Sequence, residues 1–515
     1  MSSNNVLRIL DLKKLVLAYP NLRWHKVDIQ TLWNLNPSTL CLLGKMVEGE
    51  ANVTIIDAQF YDLSIEAFVA RIADVKPDYV GISILTSEYS SILHLAAEAI
   101  KNLDQNIIVI AGGVHVTIEY MKVMDDLNID FAVRGEGEHI LRDLIRFLNG
   151  SGGKPTRGLV YRHEGRIVAQ SQELIMDIGS LPLPDYDLVK MEDYINVGSR
   201  YGPLRPPEYP YVRMLITRGC PVGCSFCQVE SISGRKVRVP DVSRVVDEIA
   251  YLKNRYGLKS FIIDDDNIAL RKKFFKKFLK VLTKRDMGLK FIIQSFAIFA
   301  LDDEMLELLS KAGCVGINVA IESGSKRVIK EIVNKPLNLE DVPRLIAKIK
   351  SNGIYVLANF IIGFPGETWD EIRETISFAE NCGADYVKLF VAVPLKGTKL
   401  WDMAKKHGST EIADEDPEVN WRFSQIKSDE WTPYDISILR AYEWDRINFG
   451  DPNRRRRVAE IWGMSEDEIS KIRKATRDAV TAGNPHRGEE IQEHVQGPKR
   501  DYLPIITDGG NLLIN

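Results

Sequence analysis

The chain has 515 residues, and at roughly 150 residues per domain this length predicts about three to four domains. Apolar residues make up 45% and charged residues 27%, values that exclude a fibrous or largely disordered protein. The formal net charge is −4, so the chain lacks the basic excess that is typical of proteins that bind a phosphate backbone. Nucleic acid is therefore not an expected partner.

The first residues, MSSNNVLRILDL, contain no basic segment that leads into an apolar signal core. The chain also contains no run of about 18 apolar residues. We therefore expect a cytoplasmic protein that does not enter a membrane.

Residues 1–150 alternate β-type apolar runs with helical patterns. The predicted strands are 6–10, 52–57, 78–85, 106–113 and 130–138, and the predicted helices are 64–75, 90–103 and 138–150. This alternation predicts an α/β domain with a doubly wound, Rossmann-like parallel sheet. Ligands bind such sheets at the carboxyl ends of the strands, where GGVH (112–115) and RGEGE (134–138) fall. Alone, these glycines are equally compatible with simple strand-to-helix turns.

Residues 151–205 are predicted to form a linker. The segment contains a hairpin-like piece, GLVYRHEGRIVAQ, with Glu164 and Gly165 at its turn. The proline-containing LPLPDYD (181–187) follows, and YGPLRPPEYP ends the segment.

Residues 206–400 form a second βα series. The predicted strands are 212–219, 259–267, 290–297, 315–323, 355–365 and 385–393, and the predicted helices between them include 241–257, 271–285, 302–313 and 369–383. Six consecutive βα units predict a partial (β/α)6 barrel of the TIM type, whose chemistry lies at the carboxyl ends of the strands.

Residues 401–515 are predicted to form a small, mainly helical domain. This segment holds five of the eight tryptophans, and their irregular spacing indicates packing between helices. Ser465 and Glu468 form a predicted capping box before the last helix. The run Arg454–Arg457 is interpreted as a solvated face, with substrate binding as the less favoured alternative.

Three of the six cysteines, Cys220, Cys224 and Cys227, lie together on the loop after the first barrel strand. A disulfide would leave the third thiol unused, and a structural zinc site needs four ligands while no histidine lies between His163 and His407. Three thiolates suit a four-iron cluster in which one iron has no protein ligand and can bind a substrate.

The segment RGCPVGCSFC (218–227) resembles the cluster motif of radical S-adenosylmethionine enzymes. Similar segments follow in the order typical of that family: GRKVRVP (234–240), FIIDDDN (261–267), GINVAIESGS (316–325), IIGFPGET (361–368) and VPLKGT (393–398). The last departs from the usual proline before glycine, which concerns the geometry of that turn. The resemblance implies a [4Fe-4S] cluster on the three cysteines, whose open iron chelates the methionine part of S-adenosylmethionine.

The same resemblance implies the residues that contact S-adenosylmethionine. Glu322 and the neighbouring strand ends would contact its methionine or ribose, and the alternative for Glu322 is a carboxylate paired with an arginine at the barrel mouth. The implied set is Phe226, Gln294, Glu322, Ser323 and Phe364. Because the chemistry belongs to the cofactors, the aspartates 264–266 need not be catalytic. A cap at the strand end that pairs with the basic residues 271–273 is at least as well supported as a catalytic role.

The domain formed by residues 1–150 is similar to the cobalamin-binding module of one branch of these enzymes. The segments SILTSEY (83–89), GGVHVT (112–117) and VRGEGE (133–138) lie at the matching strand ends, and LPLPDYDLV follows as in that branch. The residues that the resemblance implies for cobalamin binding are Ser83, Leu85, Thr86, Ser87, Gly112, Gly113, Val114, His115, Arg134, Gly135, Glu136 and Gly137.

The Asp-x-His-x-x-Gly turn that supplies a histidine to cobalt in other cobalamin modules is missing after the first strand. The segment 17–37 stands in its place and carries Trp24, His25 and Trp33. His25 has no acidic residue two positions before it, so a surface or packing role is favoured over axial ligation. We expect the lower face of cobalt to be unliganded or covered by an aromatic side chain.

The resemblance implies a methyltransferase in which the reduced cluster cleaves S-adenosylmethionine to a 5′-deoxyadenosyl radical. This radical would abstract hydrogen from an unactivated carbon of a small molecule, with phosphorus as another acceptor, and the methyl group would come from methylcobalamin. An external one-electron reductant of the flavodoxin or ferredoxin type is implied as a partner.

Three alternatives remain at this point. The first keeps both cofactors but forms or contracts a ring, as in the anaerobic porphyrin cyclase branch. The second, a methylthiotransferase, is disfavoured because its N-terminal domain would bring a second cysteine trio, whereas only Cys41 lies there. The third, a non-enzymatic cobalamin-binding sensor, leaves the six βα units and the three clustered cysteines without a role.

Overall fold

The computed structural model describes residues 12–24, 35–84, 86, 90–197, 205–406 and 423–482. The chain divides into two compact units. The first comprises Met1–Ser199, Ser231–Gly234 and Arg238–Pro240, and the second comprises Arg200–Glu230, Arg235–Val237 and Asp241–Asn515.

The first unit contains a seven-stranded sheet. Its strands are β1 (Lys14–Tyr19), β2 (Asn52–Asp57), β3 (Tyr79–Ile84), β4 (Ile108–Gly113), β5 (Phe131–Val133), β6 (Leu159–His163) and β7 (Arg166–Ala169). They are ordered β2-β1-β3-β4-β5-β6-β7, parallel through β5 and antiparallel beyond it. The chain order reverses between β1 and β3, and ligands of doubly wound sheets bind at such a switch point.

Helices cover both faces of this sheet, as the alternating pattern predicts. They are α1 (Ser38–Met46), α2 (Ile65–Val75), α3 (Ser90–Leu103), α4 (Val114–Asp125), α5 (Gly137–Leu148) and α6 (Met191–Ile195). One apolar core joins Val16 and Ala18 of β1 to α2, α3 and α4, and the other joins Leu15 and Leu17 to α1 and α5. Successive residues of a strand point to opposite faces, so β1 contributes to both cores and is buried on both sides.

Two features of the first sheet differ from the sequence analysis. Strand β1 was not predicted, and the strand predicted at 6–10 lies outside the described residues. The hairpin predicted within the linker forms β6 and β7, which extend the sheet. Its turn residues Glu164 and Gly165 have φ values of 50° and 74°, the positive pair that a tight two-residue hairpin requires.

The second unit contains a six-stranded parallel sheet. Its strands are β8 (Tyr211–Met214), β9 (Ser260–Ile263), β10 (Lys290–Phe296), β11 (Cys314–Glu322), β12 (Tyr355–Ile362) and β13 (Tyr386–Val391), in sequential order. Its helices are α8 (Val242–Tyr256), α9 (Lys272–Arg285), α10 (Asp303–Lys311), α11 (Val342–Ser351), α12 (Trp369–Asn381) and α13 (Lys399–Lys406), with a π-helical turn at Val328–Val333. This is the predicted partial barrel. The short helix α7 (Val229–Ser233) begins in the second unit, and its residues from Ser231 onward belong to the first.

The two faces of the barrel sheet can be told apart from their contacts. Phe360 of β12 packs against Phe378 of α12, with ring centroids 6.2 Å apart, so this position faces the outer helices. Tyr211, Ile262, Ile292 and Tyr355 lie in one cluster although they come from four different strands. Only a concave inner face brings these strands' side chains together, so their positions mark the barrel interior.

The C-terminal helices are α14 (Pro433–Phe449), α15 (Pro452–Trp462) and α16 (Glu466–Ala482). The predicted capping box forms, with Ser465 and Glu468 each accepting from the other's backbone N–H. Trp431, Trp444 and Trp462 are buried, in agreement with a packing role. No helix in the described ranges is both long enough and apolar enough to cross a membrane.

Candidate functional site

The carboxyl ends of β3, β4 and β5 bring together the predicted cobalamin-binding segments of the first unit. Ser83 and Gly112 are register partners on β3 and β4. Thr117 of α4 links the next two turns, because its hydroxyl donates to the Gly113 carbonyl (2.9 Å) and accepts from the Gly135 N–H (3.1 Å). The sequence analysis quoted Thr117 within GGVHVT but did not choose it as a site residue.

The glycines at these turns fall into two kinds. Gly113 (φ 102°) and Gly135 (φ 93°) have backbone conformations that favour glycine, and a Cβ on Gly113 would lie 2.2 Å from the Ile84 carbonyl oxygen. A Cβ on Gly112 would have no neighbour within 4 Å, and one on Gly137 would make only ordinary contacts. Gly113 and Gly135 are thus required by the fold, whereas Gly112 faces open space at the strand ends.

The other predicted residues of this site differ in accessibility. Thr86, Val114 and Arg134 are half-buried, and the Arg134 guanidinium lies 4.1 Å from the centre of the Tyr120 ring. His115 is buried, with its Nδ1 3.8 Å from the Glu119 carboxylate. Leu85 and Ser87 lie outside the described residues.

The Glu136 side chain takes part in a buried ion pair within the first unit. Its carboxylate receives two hydrogen bonds from Arg238, at 2.6 and 2.7 Å, and one from the Ile175 N–H at 2.6 Å. A paired, two-pronged geometry of this kind is among the strongest side-chain interactions. These contacts give Glu136 a structural task in addition to any contact with cobalamin.

Of the three residues considered for the lower face of cobalt, the structure describes Trp24, which lies in the segment after β1. Trp24 packs on Phe68 of α2 with ring centroids 5.3 Å apart, and its indole N–H donates to the Leu63 carbonyl at 2.8 Å. This side chain is therefore used in packing. His25 and Trp33 lie outside the described residues.

The three clustered cysteines lie on the loop that follows β8. The Ser225 N–H donates to Val333 (2.9 Å), and the Ser225 carbonyl accepts from the Leu400 N–H (2.9 Å). The Asn334 side chain donates to the Gly223 carbonyl at 3.2 Å. Backbone hydrogen bonds therefore hold the loop to the segments after β11 and β13, at the carboxyl end of the barrel.

The chemistry of the three thiols fits an iron–sulfur cluster. Burial raises the pKa of Cys224 to about 11 and that of Cys227 to about 12, so that both are thiols at neutral pH until iron replaces their protons. Within the described residues, no three His, Cys, Asp or Glu side chains could hold one common metal ion. Each cysteine of a four-iron cluster binds a different iron, so such ligands need not converge on a single ion.

The aspartates 264–266 serve the cysteine loop, and the expected pairing with residues 271–273 was wrong. Asp264 pairs with Arg213 of β8 at 2.5 and 2.6 Å. Asp265 accepts from the backbone N–H groups of residues 216 and 217 and from the Thr217 hydroxyl. Asp266 accepts from the Gly219 N–H at 3.2 Å. The three carboxylates therefore bind the strand and loop that lead into Cys220.

Glu322 lies at the end of β11 in an unusual backbone conformation. Its φ of 77° is positive, which is rare for a residue other than glycine, and the register with β12 shifts between Ala320 and Glu322. Its buried carboxylate pairs with Lys335 at 2.8 Å, and Lys335 also donates to the Ala320 carbonyl. The alternative that paired Glu322 with an arginine was therefore wrong, because its partner is a lysine.

Lys335 is a site residue that the sequence analysis missed. Its positive charge lowers the pKa of both Cys220 and Cys224, against the larger effect of burial. It lies 13 positions after Glu322 in the chain, beyond a π-helical turn, and no motif marks it. The pair of Glu322 and Lys335 therefore lies within electrostatic range of the cysteine loop.

The remaining residues predicted to contact S-adenosylmethionine lie at or near the carboxyl ends of the barrel strands. The Phe226 and Phe364 ring centroids are 6.3 Å apart. Ser323 is fully buried and shares a hydrogen bond with the Thr375 hydroxyl at 2.8 Å. Gln294 is half-buried on β10, two positions beyond Ile292 on the inner face.

Glu367 is a third residue that the sequence analysis did not choose, although it lies within IIGFPGET. One carboxylate oxygen accepts from the N–H groups of Gly363 (2.7 Å) and Phe364 (2.9 Å). Burial raises the pKa of Glu367 to about 8. Glu367 therefore fixes the turn that presents Phe364.

Comparisons with known proteins identify the family of both regions of the chain. Residues 214–379 match the Radical SAM superfamily, and residues 35–145 match the B12 binding domain. The chain is 31% identical to an uncharacterized methyltransferase of Pyrococcus horikoshii, over 72% of this chain and 78% of that protein. It is 30% identical to the cytidylyl-2-hydroxyethylphosphonate methyltransferase of Streptomyces wedmorensis, over 70% and 73%.

Two further comparisons concern the cyclase branch and the fold. The chain is 28% identical to the anaerobic magnesium-protoporphyrin IX monomethyl ester cyclase of Rubrivivax gelatinosus, over 74% of this chain and 68% of that protein. The structure of the cobalamin-dependent S-adenosylmethionine radical enzyme OxsB superposes with a TM-score of 0.70 at 16% identity, covering 92% of this chain and 73% of that one.

The cofactors that the sequence analysis expected, a [4Fe-4S] cluster, S-adenosylmethionine and cobalamin, are those of this family. The chain is therefore an enzyme and not a non-enzymatic sensor, because two relatives that are named methyltransferases align with 72% and 70% of its length. The chain belongs to the cobalamin-binding branch of the radical S-adenosylmethionine superfamily and is an enzyme of its methyltransferase group.

Proposed function

We propose that this enzyme transfers a methyl group to an unactivated carbon, or to phosphorus, of a small organic molecule. The observation that carries the proposal is the loop of three thiols, held by backbone and aspartate contacts at the carboxyl end of a curved parallel sheet. The phosphonate methyltransferase among the relatives supports a small-molecule acceptor.

The proposed domains follow the sequence boundaries. Residues 1–150 bind cobalamin, 151–205 form the connection and add the hairpin β6–β7 to the first sheet, 206–400 bind the cluster and S-adenosylmethionine, and 401–515 form the C-terminal domain. The open space above Gly112 and the linked turns at Gly113 and Gly135 support the placement of cobalamin at the ends of β3, β4 and β5.

Within the second unit, we assign Cys220, Cys224 and Cys227 to three irons of the cluster. The bound cluster supplies the electron that cleaves S-adenosylmethionine, and the protein's task is to hold the groups and exclude water. Glu322 is assigned to the methionine or ribose part of that cofactor, because Lys335 fixes its carboxylate beside the cysteine loop. Phe226, Gln294, Ser323 and Phe364 are assigned to the surrounding pocket.

The cluster needs electrons from outside the chain. We propose a small one-electron carrier of the flavodoxin or ferredoxin type as the physiological donor. A chemical reductant replaces it in the experiment below, so that the proposal about the reaction does not depend on this partner.

The test uses anaerobically reconstituted, cobalamin-loaded enzyme, a strong reductant and S-adenosylmethionine with a deuterated methyl group. Candidate small molecules are screened by mass spectrometry for a gain of one labelled methyl group together with 5′-deoxyadenosine. The Cys224→Ala variant should lose both products, and Cys382→Ala, which removes a buried solitary cysteine, should retain them. An oxidised or cyclised product without the label would instead indicate the cyclase reaction.

A further inference from the structure

A lysine lies on the inner face of the barrel, on its last strand. Lys388 is the register partner of Asn359 on β12, one position before the outward-facing Phe360. Successive strand residues alternate between the two faces, so Asn359 and Lys388 both point into the interior. Within the described chain, the Lys388 ammonium makes no hydrogen bond or ion pair.

The position of Arg213 shows that the interior is closed enough for charges to interact across it. Arg213 lies on β8 and Lys388 on β13, the two edge strands of the sheet. The charge of Arg213 nevertheless contributes to lowering the pKa of Lys388, after the larger effect of burial. The sheet must therefore curve enough to bring its edges within electrostatic range.

Two other charged side chains of the barrel strands are paired. Arg213 is neutralised by Asp264 in a two-pronged pair, and Glu322 by Lys335. Lys388 therefore leaves one uncompensated positive charge on the inner face of the described strands. A buried charge without a partner is costly, and a bound anion would remove that cost.

Two amide oxygens on the same inner face also lack partners. Asn359 lies directly opposite Lys388, whereas Asn318 lies on β11 at the level of Leu357 and Tyr386, two residues before Lys388. The Asn359 Oδ1 and the Asn318 Oδ1 are buried and accept no hydrogen bond, although the Asn318 amide nitrogen donates to the Gln294 carbonyl at 2.9 Å. Asn318 is only 5% exposed, so water reaches it poorly. Buried acceptors of this kind normally accept a hydrogen bond, so these two oxygens can accept from a donor on a bound ligand.

We propose that Lys388, Asn359 and Asn318 form a binding site for an anionic oxygen group, a carboxylate or a phosphate, of the methyl acceptor. The lysine binds the anion, and the two amide oxygens accept from a hydroxyl or amino group beside it. The assignment to the acceptor rests on the proposed function. It adds a substrate class to that function: acidic small molecules that carry a neighbouring hydrogen-bond donor.

The depth of the site favours the acceptor over S-adenosylmethionine as its ligand. The residues assigned to that cofactor lie mostly at strand ends, whereas Lys388 lies three residues before the end of β13, about 10 Å deeper at roughly 3.3 Å per residue. The carboxylate of S-adenosylmethionine is moreover assigned to the open iron. A second anion is therefore needed to match Lys388.

The site can be tested without turnover by measuring the reactivity of Lys388. Cluster- and cobalamin-loaded enzyme with bound S-adenosylmethionine is treated with a trace of acetic anhydride, and acetylation of Lys388 is compared by mass spectrometry with that of the exposed Lys273. The probe is sodium phosphate in one arm and sodium acetate in the other. A third arm with sodium chloride alone, at the same ionic strength, is the reference.

We expect phosphate or acetate to slow the acetylation of Lys388 about threefold at twice its dissociation constant, with no such effect at Lys273. The arm that protects identifies the kind of anion. Asn359→Asp places a carboxylate beside Lys388 and should abolish protection, whereas Asn352→Asp, the same change at an exposed position, should preserve it.

Equal behaviour of Lys388 and Lys273 in both arms would overturn the proposal, as would unchanged protection in Asn359→Asp. A Lys388 that is unreactive even without an anion would also overturn it, because the side chain would then face no open site. Since the assay involves no methyl transfer, a failed methylation experiment and a failed protection experiment are independent results.

Discussion

A lysine inside a barrel strand affects stability whenever it is ionised. Burial, with a smaller contribution from the charge of Arg213, lowers the pKa of Lys388 to about 7, and Arg213 is itself paired with Asp264. The unfolded chain keeps an ordinary lysine, which stays protonated to a higher pH. Between about pH 7 and 10 the unfolded state therefore binds more protons, and the free energy of unfolding rises with pH.

Replacing Lys388 by methionine should remove this dependence. At pH 6 we expect Lys388→Met to be more stable than the unmodified enzyme by about 1–2 kcal/mol, since the variant buries no charge, and we expect the difference to shrink by pH 9. Urea unfolding at both pH values measures it. Lys273→Met, on the exposed side of α9, is the matched control, and a difference that stays constant from pH 6 to 9 would contradict the prediction.

Glu322 and Lys335 show how far a single residue can be interpreted from the sequence. A carboxylate at the end of a predicted barrel strand was recognisable as a candidate, and the motif GINVAIESGS marks it. Its partner was not recognisable, because Lys335 reaches it only after the chain has passed through a π-helical turn. Long-range pairs of this kind depend on packing and leave no periodic pattern.

At the scale of elements, the cysteine loop depends on one aspartate in particular. Asp265 is fully buried among backbone donors and accepts three hydrogen bonds from residues 216 and 217, between β8 and the loop. A buried donor that loses its acceptor costs about 1–3 kcal/mol. In an asparagine, the side-chain NH2 group would face at least one of these donors, and it cannot accept a hydrogen bond from it.

We therefore expect Asp265→Asn to lower the free energy of unfolding by about 1–3 kcal/mol and to reduce the iron bound per chain after anaerobic reconstitution. Denaturant unfolding and iron analysis measure the two effects. Asp286→Asn makes the same chemical change at the exposed end of α9, where the left-handed conformation (φ 43°) suits asparagine. Full iron loading in Asp265→Asn would show that the loop does not need this carboxylate.

The helices and strands themselves follow from local patterns more closely than the site does. Predicted helices 64–75, 90–103 and 271–285 agree with α2, α3 and α9 to within one residue, because an amphipathic period and a capping residue such as Ser64 define them locally. Strand β1 was missed, since LVLAY is buried on both faces and shows no alternation.

At the scale of the whole molecule, the two compact units should load their cofactors independently. Each unit has its own sheet, and the first has a core on each face of that sheet. The Cys224→Ala variant should then lose the cluster and retain about one cobalamin per chain. Iron analysis and the absorbance of bound cobalamin measure both in one sample.

Gly113→Ala should have the converse effect, because its Cβ would lie 2.2 Å from the Ile84 carbonyl oxygen at the proposed cobalamin site. Cobalamin should be lost and iron retained. Gly49→Ala, where φ is 79° and nothing lies within 4 Å, controls for the strain of a positive φ alone. Loss of both cofactors from either Cys224→Ala or Gly113→Ala would contradict independent loading.

The sequence by itself determined the two α/β architectures, the cysteine loop and the cofactor family, because periodicity, turn residues and ligand spacing are local properties of the chain. Only the tertiary structure decided which groups face each other: the three aspartates with the cysteine loop, Lys335 with Glu322, and Lys388 with Asn359 on the inner face of the barrel. These contacts join residues far apart in the chain, and they arise from the curvature of the sheet and the packing of its connections.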